Sequence, residues 1–203
     1  MQKLVLAFVF FLNVLFQVNI ANGQSALEIT ESDFVIGKKD APITIIEYAS
    51  LSCSHCAKFH NETLEQLKKE YVDTGKVKIV FRDFPFNYPA LLGSMVLRCV
   101  PENIRYDYMN ALFQLQTSWV NRENAKTIQE LYKIMQSGGM TKEEYDTCIY
   151  NTELENQILQ GLIAAQNEFN IKSTPSFLIN DTLVEGNKSI KEFRQIIDKI
   201  LSE

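Results

Sequence analysis

A strand, a helix and a second strand follow one another between residues 43 and 82, and this order constrains the fold more than any other feature. Residues 43–48 are β-branched and apolar, which is typical of a buried strand. From Cys53 to Tyr71 the apolar residues recur at spacings of three and four, as on the buried face of a helix. Residues 77–82 alternate in polarity and predict a second strand. The unit therefore predicts an α/β fold in which two parallel strands are joined by a right-handed crossover.

The rest of the chain extends this unit in a definite order. Residues from about 90 to about 170 contain several amphipathic helical patterns and no convincing strand, so they predict an all-helical insertion. Residues 176–179 and 182–185 predict a short hairpin, and residues 189–201 predict a closing helix with one apolar face. We expect residues 24–203 to form one domain, with a flexible lead-in over residues 24–36.

The first segment, residues 1–23, is predicted to be a targeting segment and not part of the folded domain. A basic start precedes an almost entirely apolar run from Leu4 to Phe16, and small residues stand just before Gln24. This pattern predicts a cleaved secretory signal peptide and an exported protein. The alternative is a retained membrane anchor, because the apolar run is only slightly shorter than a bilayer-spanning helix.

Charge and cysteine content narrow the classes of function. The chain carries a net charge of −5 at pH 7, and its basic residues alternate with acidic ones instead of clustering. This argues against nucleic acid as a partner. The chain has four cysteines, too few for a disulfide scaffold of this length, yet an exported protein meets an oxidising compartment. Each cysteine therefore needs an explanation.

The sequence Cys53-Ser54-His55-Cys56 lies at the junction of the first strand and the helix. The unpaired N–H groups and the positive dipole end of the helix would stabilise a thiolate at Cys53. Cys56, one turn later on the apolar face, would act only after Cys53 has formed a mixed disulfide. His55 can donate a hydrogen bond or a charge to the Cys53 sulfur, which favours the reduced form and makes the disulfide more oxidising. The alternatives are a structural zinc site, a structural disulfide, or unrelated core cysteines.

Together these features resemble the DsbA-type branch of the thioredoxin superfamily. The resemblance covers essentially the whole chain after residue 23, and Cys-Ser-His-Cys is close to the Cys-Pro-His-Cys of bacterial oxidases, with Ser54 in place of proline. It implies a thioredoxin-like fold, no bound cofactor, a periplasmic location and a monomer. It also implies an enzyme that introduces disulfides into reduced exported proteins and is reoxidised by a DsbB-like membrane partner.

The dipeptide Thr174-Pro175 precedes the hairpin, where the family places a cis proline facing the redox pair. The resemblance implies that backbone groups beside this proline hold an extended substrate strand, and that Thr174 contacts Cys53. The alternative is an ordinary trans proline at a strand start. Threonine at this position is similar to isomerase-type members, but the short lead-in leaves no room for their separate dimerisation domain. We therefore expect an oxidase, with an isomerase, a reductase, or a non-enzymatic surface or metal-binding module as alternatives.

Glu47 is a single charge in a strand that we expect to be buried. The family keeps an acidic group at this position, beneath the second cysteine. Two roles are open, a proton relay for Cys56 or a structural ion pair with Arg82 or Lys78. We expect His60, four residues after Cys56, to be a solvated helix residue.

Cys99 and Cys148 both fall in the predicted helical insertion. Two helical cysteines in an oxidising compartment predict a structural disulfide. The alternative is a pair of small buried apolar residues.

Overall fold

A computed structural model of the protein describes residues 27–30 and 33–203. The predicted signal peptide, residues 1–23, lies outside the described residues. Within the described ranges, no helix has the length and apolar character needed to cross a membrane.

A five-stranded sheet forms the centre of the molecule, in the order β1-β3-β2-β4-β5. Its strands are β1 (Phe34–Ile36), β2 (Ile43–Ala49), β3 (Val77–Asp83), β4 (Ser176–Ile179) and β5 (Thr182–Glu185). Strands β2 and β3 are parallel, as the strand, helix, strand order predicts, and the other pairs are antiparallel. Glu47 on β2 stands opposite Phe81 on one neighbour and Phe177 on the other, so the central strand carries this carboxyl into the core.

The expectation of a flexible lead-in before residue 37 is wrong for its last residues. Phe34–Ile36 forms β1, which pairs with β3 and buries Phe34 and Ile36. Asp33, just before it, forms an ion pair of 2.9 Å with Arg82 of β3. Three residues are too few to show a period in the sequence, so the strand depends on these long-range contacts.

The first helix, α1, begins at Ser54 and ends at Val72. It consists of α-helical Ser54–Lys58 and Glu65–Leu67 alternating with π-helical Phe59–Leu64 and Lys68–Val72. Its apolar face packs against the sheet, with Phe59, Leu64 and Leu67 fully buried. The helix therefore holds its first turn, which carries the cysteine pair, against the end of β2.

The predicted helical insertion is present and begins at the end of β3. Its helices are α2 (Tyr88–Cys99), α3 (Glu102–Gln114), α4 (Gln116–Trp119), α5 (Asn124–Ser137), α6 (Lys142–Ile149) and α7 (Thr152–Phe169). Asn87 caps α2 by accepting a hydrogen bond from the Ala90 amide at 3.0 Å. The closing helix α8 (Ile190–Ser202) begins at a capping box between Ser189 and Glu192.

Two apolar cores lie on opposite faces of the sheet. The larger one joins α1, α8 and most of the insertion, and it includes the fully buried Trp119, whose indole N–H donates to the Leu112 carbonyl at 2.9 Å. The smaller one packs Ala165 of α7, and Ile171 just after that helix, against the other face. The thioredoxin-like arrangement with a helical insertion thus positions the start of α1 between the sheet and the insertion.

Candidate active site

Cys53 occupies the N-cap position of α1, at the end of the loop that follows β2. Its backbone is extended, with φ −83° and ψ 122°, and its carbonyl accepts the amide hydrogen of Ala57 at 3.0 Å. The side chain is half-buried and the thiol is free. The first-turn amides of α1 have no partner within the helix, so they are available to the sulfur.

Hydrogen bonds to the sulfur lower the pKa of Cys53 to about 5. The largest cause is the thiol of Cys56, which donates to the Cys53 sulfur; burial opposes this, and the Thr174 hydroxyl and the amides of Cys56 and His55 add to it. His55 contributes through its backbone N–H, while its side chain and that of Ser54 are exposed. Cys53 is therefore a thiolate at neutral pH.

Cys56 lies one turn further along α1 and is fully buried. Burial raises the pKa of its thiol far above the ordinary range, and the hydrogen bond to Cys53 and the negative charge of Glu47 raise it further. The two sulfurs thus have opposite character, since Cys53 is a partly exposed nucleophile and Cys56 keeps its proton until a base removes it.

The peptide bond between Thr174 and Pro175 is cis, as the resemblance implies. It brings the Thr174 carbonyl oxygen within 3.4 Å of the Cys53 sulfur, which donates to it in the thiol form. The Thr174 hydroxyl is buried and has no close oxygen or nitrogen partner in the part of the chain that is described. It is therefore available to donate to the Cys53 thiolate.

The buried carboxyl of Glu47 is paired with His60, so the ion pair with Arg82 or Lys78 is wrong. Its two oxygens lie 3.0 Å and 3.1 Å from the His60 Nε2 atom. Successive residues of β3 face opposite sides of the sheet, and Arg82 and Lys78 face away from Glu47. Arg82 binds Asp33, and Lys78 donates to backbone carbonyls near the start of β2.

The expectation that His60 is solvated is also wrong, because the residue is only 4% exposed. Sequence reasoning therefore missed a residue of the site. The signal was present, since His60 follows Cys56 by four residues and precedes the buried Leu64 by four, which places all three on one helix face.

Gln116, at the start of α4, is a second residue that the sequence did not reveal. Its buried amide donates to the Leu51 carbonyl at 2.8 Å and to the Cys53 carbonyl at 3.0 Å. Ser52 in the same loop donates to the Asn87 side chain at 3.0 Å. The helical insertion thus holds the active-site loop from two sides, through contacts between residues far apart in the sequence.

Cys99 and Cys148 form a disulfide that joins the end of α2 to α6. It lies within the insertion and leaves Cys53 and Cys56 as the free thiols of the chain. Among the residues that the structure describes, no group of three or more His, Cys, Asp or Glu side chains is placed to hold a metal ion.

Comparison with known proteins agrees with this fold. The family model described as Thioredoxin matches residues 29–199. Crystal structures of α-DsbA1 from Wolbachia pipientis are similar, one with 29% identity and a TM-score of 0.82 over 88% of this chain and 96% of that protein. The fold and the site define a thioredoxin-like protein. The chain belongs to the thioredoxin superfamily, in its DsbA-type branch.

Two similar proteins have names that describe disulfide chemistry. A Rickettsia felis protein named "Putative protein-disulfide oxidoreductase" is 30% identical over 87% of this chain, which spans 63% of that relative's length. Disulfide bond formation protein D of Bacillus subtilis is 25% identical over 82% of this chain and 76% of its own length.

Proposed function

We propose that the protein is a thiol:disulfide oxidoreductase that introduces disulfide bonds into substrate proteins through Cys53 and Cys56. The observation that carries the proposal is the position of Cys53 at the N-cap of α1, where the Cys56 thiol and the amides of Cys56 and His55 lower its pKa to about 5. A stabilised thiolate favours the reduced pair, so the disulfide of the oxidised pair gives up its bond readily to a substrate. The names of the relatives support the same class of reaction.

In the proposed reaction, a substrate thiolate attacks the Cys53 sulfur of the oxidised pair. The bond between Cys53 and Cys56 breaks, Cys56 leaves and takes up a proton, and a mixed disulfide between substrate and Cys53 remains. A second substrate thiolate then attacks the substrate sulfur of this bond, and Cys53 leaves as a thiolate. The substrate loses two electrons and two protons in total, while the enzyme pair becomes reduced.

The surrounding residues take supporting roles in this proposal. Cys53 accepts the attack because it is the more exposed sulfur, and Ser54 and His55 line its exposed side. Thr174, joined to Pro175 by the cis bond, lies beside the sulfur, and its backbone groups are ones that an extended substrate strand can pair with. Glu47 serves as the proton partner of Cys56, whose thiol lies within its electrostatic reach.

We further propose that the protein acts in the periplasm after export by residues 1–23, as a monomer on reduced exported proteins. Because each reaction leaves the pair reduced, the cycle needs an electron acceptor, for which a DsbB-like membrane oxidase has the right chemistry. The net charge of −5 with interspersed basic residues supports a protein substrate over nucleic acid.

Two substrates test the direction of the reaction. Oxidised protein is mixed with a reduced peptide that carries two cysteines. Separately, reduced protein, whose Cys53 thiolate can attack a disulfide, is mixed with a protein that carries scrambled disulfides. An oxidase forms the peptide disulfide rapidly and repairs scrambled bonds poorly. Repair of scrambled bonds without peptide oxidation would instead establish an isomerase. Cys53→Ala should abolish both reactions. Cys56→Ala cannot form the enzyme disulfide, so its Cys53 thiolate should be trapped as a mixed disulfide with the scrambled protein.

A further inference from the structure

A pair of polar side chains lies in the apolar core, and one of them, His60, follows Cys56 by four residues on the buried face of α1. The side chains of Glu47 and His60 are each only 1% exposed, and they contact one another at 3.0 Å. They come from different elements, β2 and the first π-helical segment of α1. The burial of this pair needs a physical explanation, because burying an isolated charge costs folding free energy.

The His60 ring is held in place by aromatic neighbours. It stacks on Phe113 of α3 with ring centroids 4.0 Å apart, and it meets Phe59 and Phe81 edge to face. Its Nδ1 atom is buried without a hydrogen-bond partner among the described residues. A protonated ring would bury a second N–H there without an acceptor, so the surroundings fit a neutral imidazole whose proton is on Nε2.

With its proton on Nε2, His60 donates to the Glu47 carboxylate. Both hydrogen bonds that Glu47 accepts within the described ranges come from this one atom. On the same face of the sheet, Asp83 of β3 binds Arg98 of α2 at 2.6 Å, and Arg105 of α3 lies over the Phe34 ring. Without a donor, a carboxylate in this core would take up a proton, because burial disfavours the charged form.

We propose that His60 is a positioning residue that keeps Glu47 ionised beside Cys56, so that Glu47 accepts the Cys56 proton when Cys56 attacks a mixed disulfide. The inference rests on the proposed function only in taking Cys53 and Cys56 as the redox pair, and the step it concerns is the one that reoxidises the reduced pair. The proton passes from the Cys56 sulfur to a Glu47 oxygen, and the sulfur then bonds to Cys53. The bond between Cys53 and its partner breaks, and the partner leaves as a thiolate. The enzyme pair loses two electrons and the partner gains them.

The step can be measured apart from any protein substrate. Reduced protein is mixed with excess oxidised glutathione, quenched with acid at short times, and analysed by mass. Attack by Cys53 gives a mixed disulfide with glutathione, and attack by Cys56 then releases the second glutathione. The two rates are recorded from about pH 6 to about pH 9. Cys53 is already ionised over this range, and an ordinary thiol in water ionises near its upper end.

A variant that has no hydrogen-bond donor at position 60 removes the effect of His60 on Glu47. In His60→Leu we expect the Cys56 step to slow about 100-fold at pH 7, the order of a lost general base. The remaining rate should rise with pH, because hydroxide must then take the proton. His60→Gln keeps an N–H donor and cannot carry charge, so its Cys56 step should stay within about threefold of the original and keep its pH profile. The Cys53 step should change little in both variants.

A double substitution separates positioning from a general effect on the fold. Glu47→Gln should slow the Cys56 step as His60→Leu does, and adding His60→Leu to Glu47→Gln should slow it no further. Unfolding curves show whether each variant is folded, and His60→Met replaces His60→Leu if the latter is not.

Three results would overturn the inference. They are an unchanged Cys56 step in the donor-free variant, a Gln variant as slow as the Leu variant, or additive losses in the double variant. Absence of peptide oxidation by the original protein would defeat the proposed function and leave these rates interpretable.

Discussion

The Cys53 sulfur lies 3.4 Å from the carbonyl oxygen of Thr174, although 121 residues separate them in the sequence. The cis bond before Pro175 and the start of α1 meet at this contact. The thiol of Cys53 donates to the carbonyl, whereas the thiolate can accept from the Thr174 hydroxyl. One residue therefore offers an acceptor to the thiol and a donor to the thiolate.

Replacement of Thr174 by valine should raise the pKa of Cys53 from about 5 to about 6. Valine has the same shape but no hydroxyl, so the thiolate loses one donor while the carbonyl contact remains. The ultraviolet absorbance of the thiolate, followed against pH, measures the change. Thr174→Ser keeps the hydroxyl and is the control. A valine variant that titrates like the original would show that the hydroxyl does not reach the sulfur.

The stability of the reduced protein should depend on pH in a defined window. The pKa of Cys53 falls from an ordinary value of 9.0 to about 5 on folding, so between these values the unfolded chain holds a proton that the folded protein has released. Stability should therefore rise from pH 5 to pH 9, and be lost as the pH falls through 5. Above pH 9 the raised pKa of Cys56 acts in the opposite direction.

Denaturant unfolding of the reduced protein at several pH values measures this dependence. Cys53→Ser removes the titrating group and should flatten the rise between pH 5 and pH 9. An equally steep rise in that variant would assign the dependence to other groups.

Much of the fold was predictable because its signals are local. The strand, helix, strand unit, the hairpin and the closing helix each have a period or a turn that a short segment of sequence shows, and the structure confirms them. The strand Phe34–Ile36 was not predictable in this way. It is formed by pairing with β3 and by the bond between Asp33 and Arg82.

The residues of the site also fall into those with a local sequence signal and those without one. Cys53 and Cys56 stand out by spacing and placement, and Thr174-Pro175 by its position before the hairpin. The prediction that Glu47 pairs with Arg82 or Lys78 was wrong, because its partner His60 lies on the helix that packs on the sheet and not on a neighbouring strand. Gln116 gave no local signal, since its role lies in two contacts to a loop more than sixty residues away.

Removal of the disulfide by a Cys99→Ala and Cys148→Ala double variant should lower the free energy of unfolding by about 4 kcal/mol. The bond closes a loop between residues 49 apart, and loop closure restricts the unfolded chain. Urea unfolding of oxidised protein measures the loss. Peptide mapping without reductant is the direct check, and recovery of both cysteines as free thiols from oxidised protein would reject the bond.

Replacement of Gln116 by leucine should lower the free energy of unfolding by about 2 kcal/mol, since it leaves the Leu51 and Cys53 carbonyls without their donor. Urea unfolding measures this as well. Gln114→Leu, on an exposed position of the neighbouring helix, is the matched control and should change stability little. Equal losses in both variants would show that the bonds to the loop add nothing.

The reduction potential of the Cys53 and Cys56 pair, measured by equilibration with glutathione, tests the central claim most directly. A pair whose nucleophile has a pKa of about 5 and whose reduced form is thereby stabilised should be oxidising, closer to about −120 mV than to the roughly −270 mV of thioredoxin. Thr174→Val should move the potential to a more negative value. A potential near that of thioredoxin in the original protein would contradict the account.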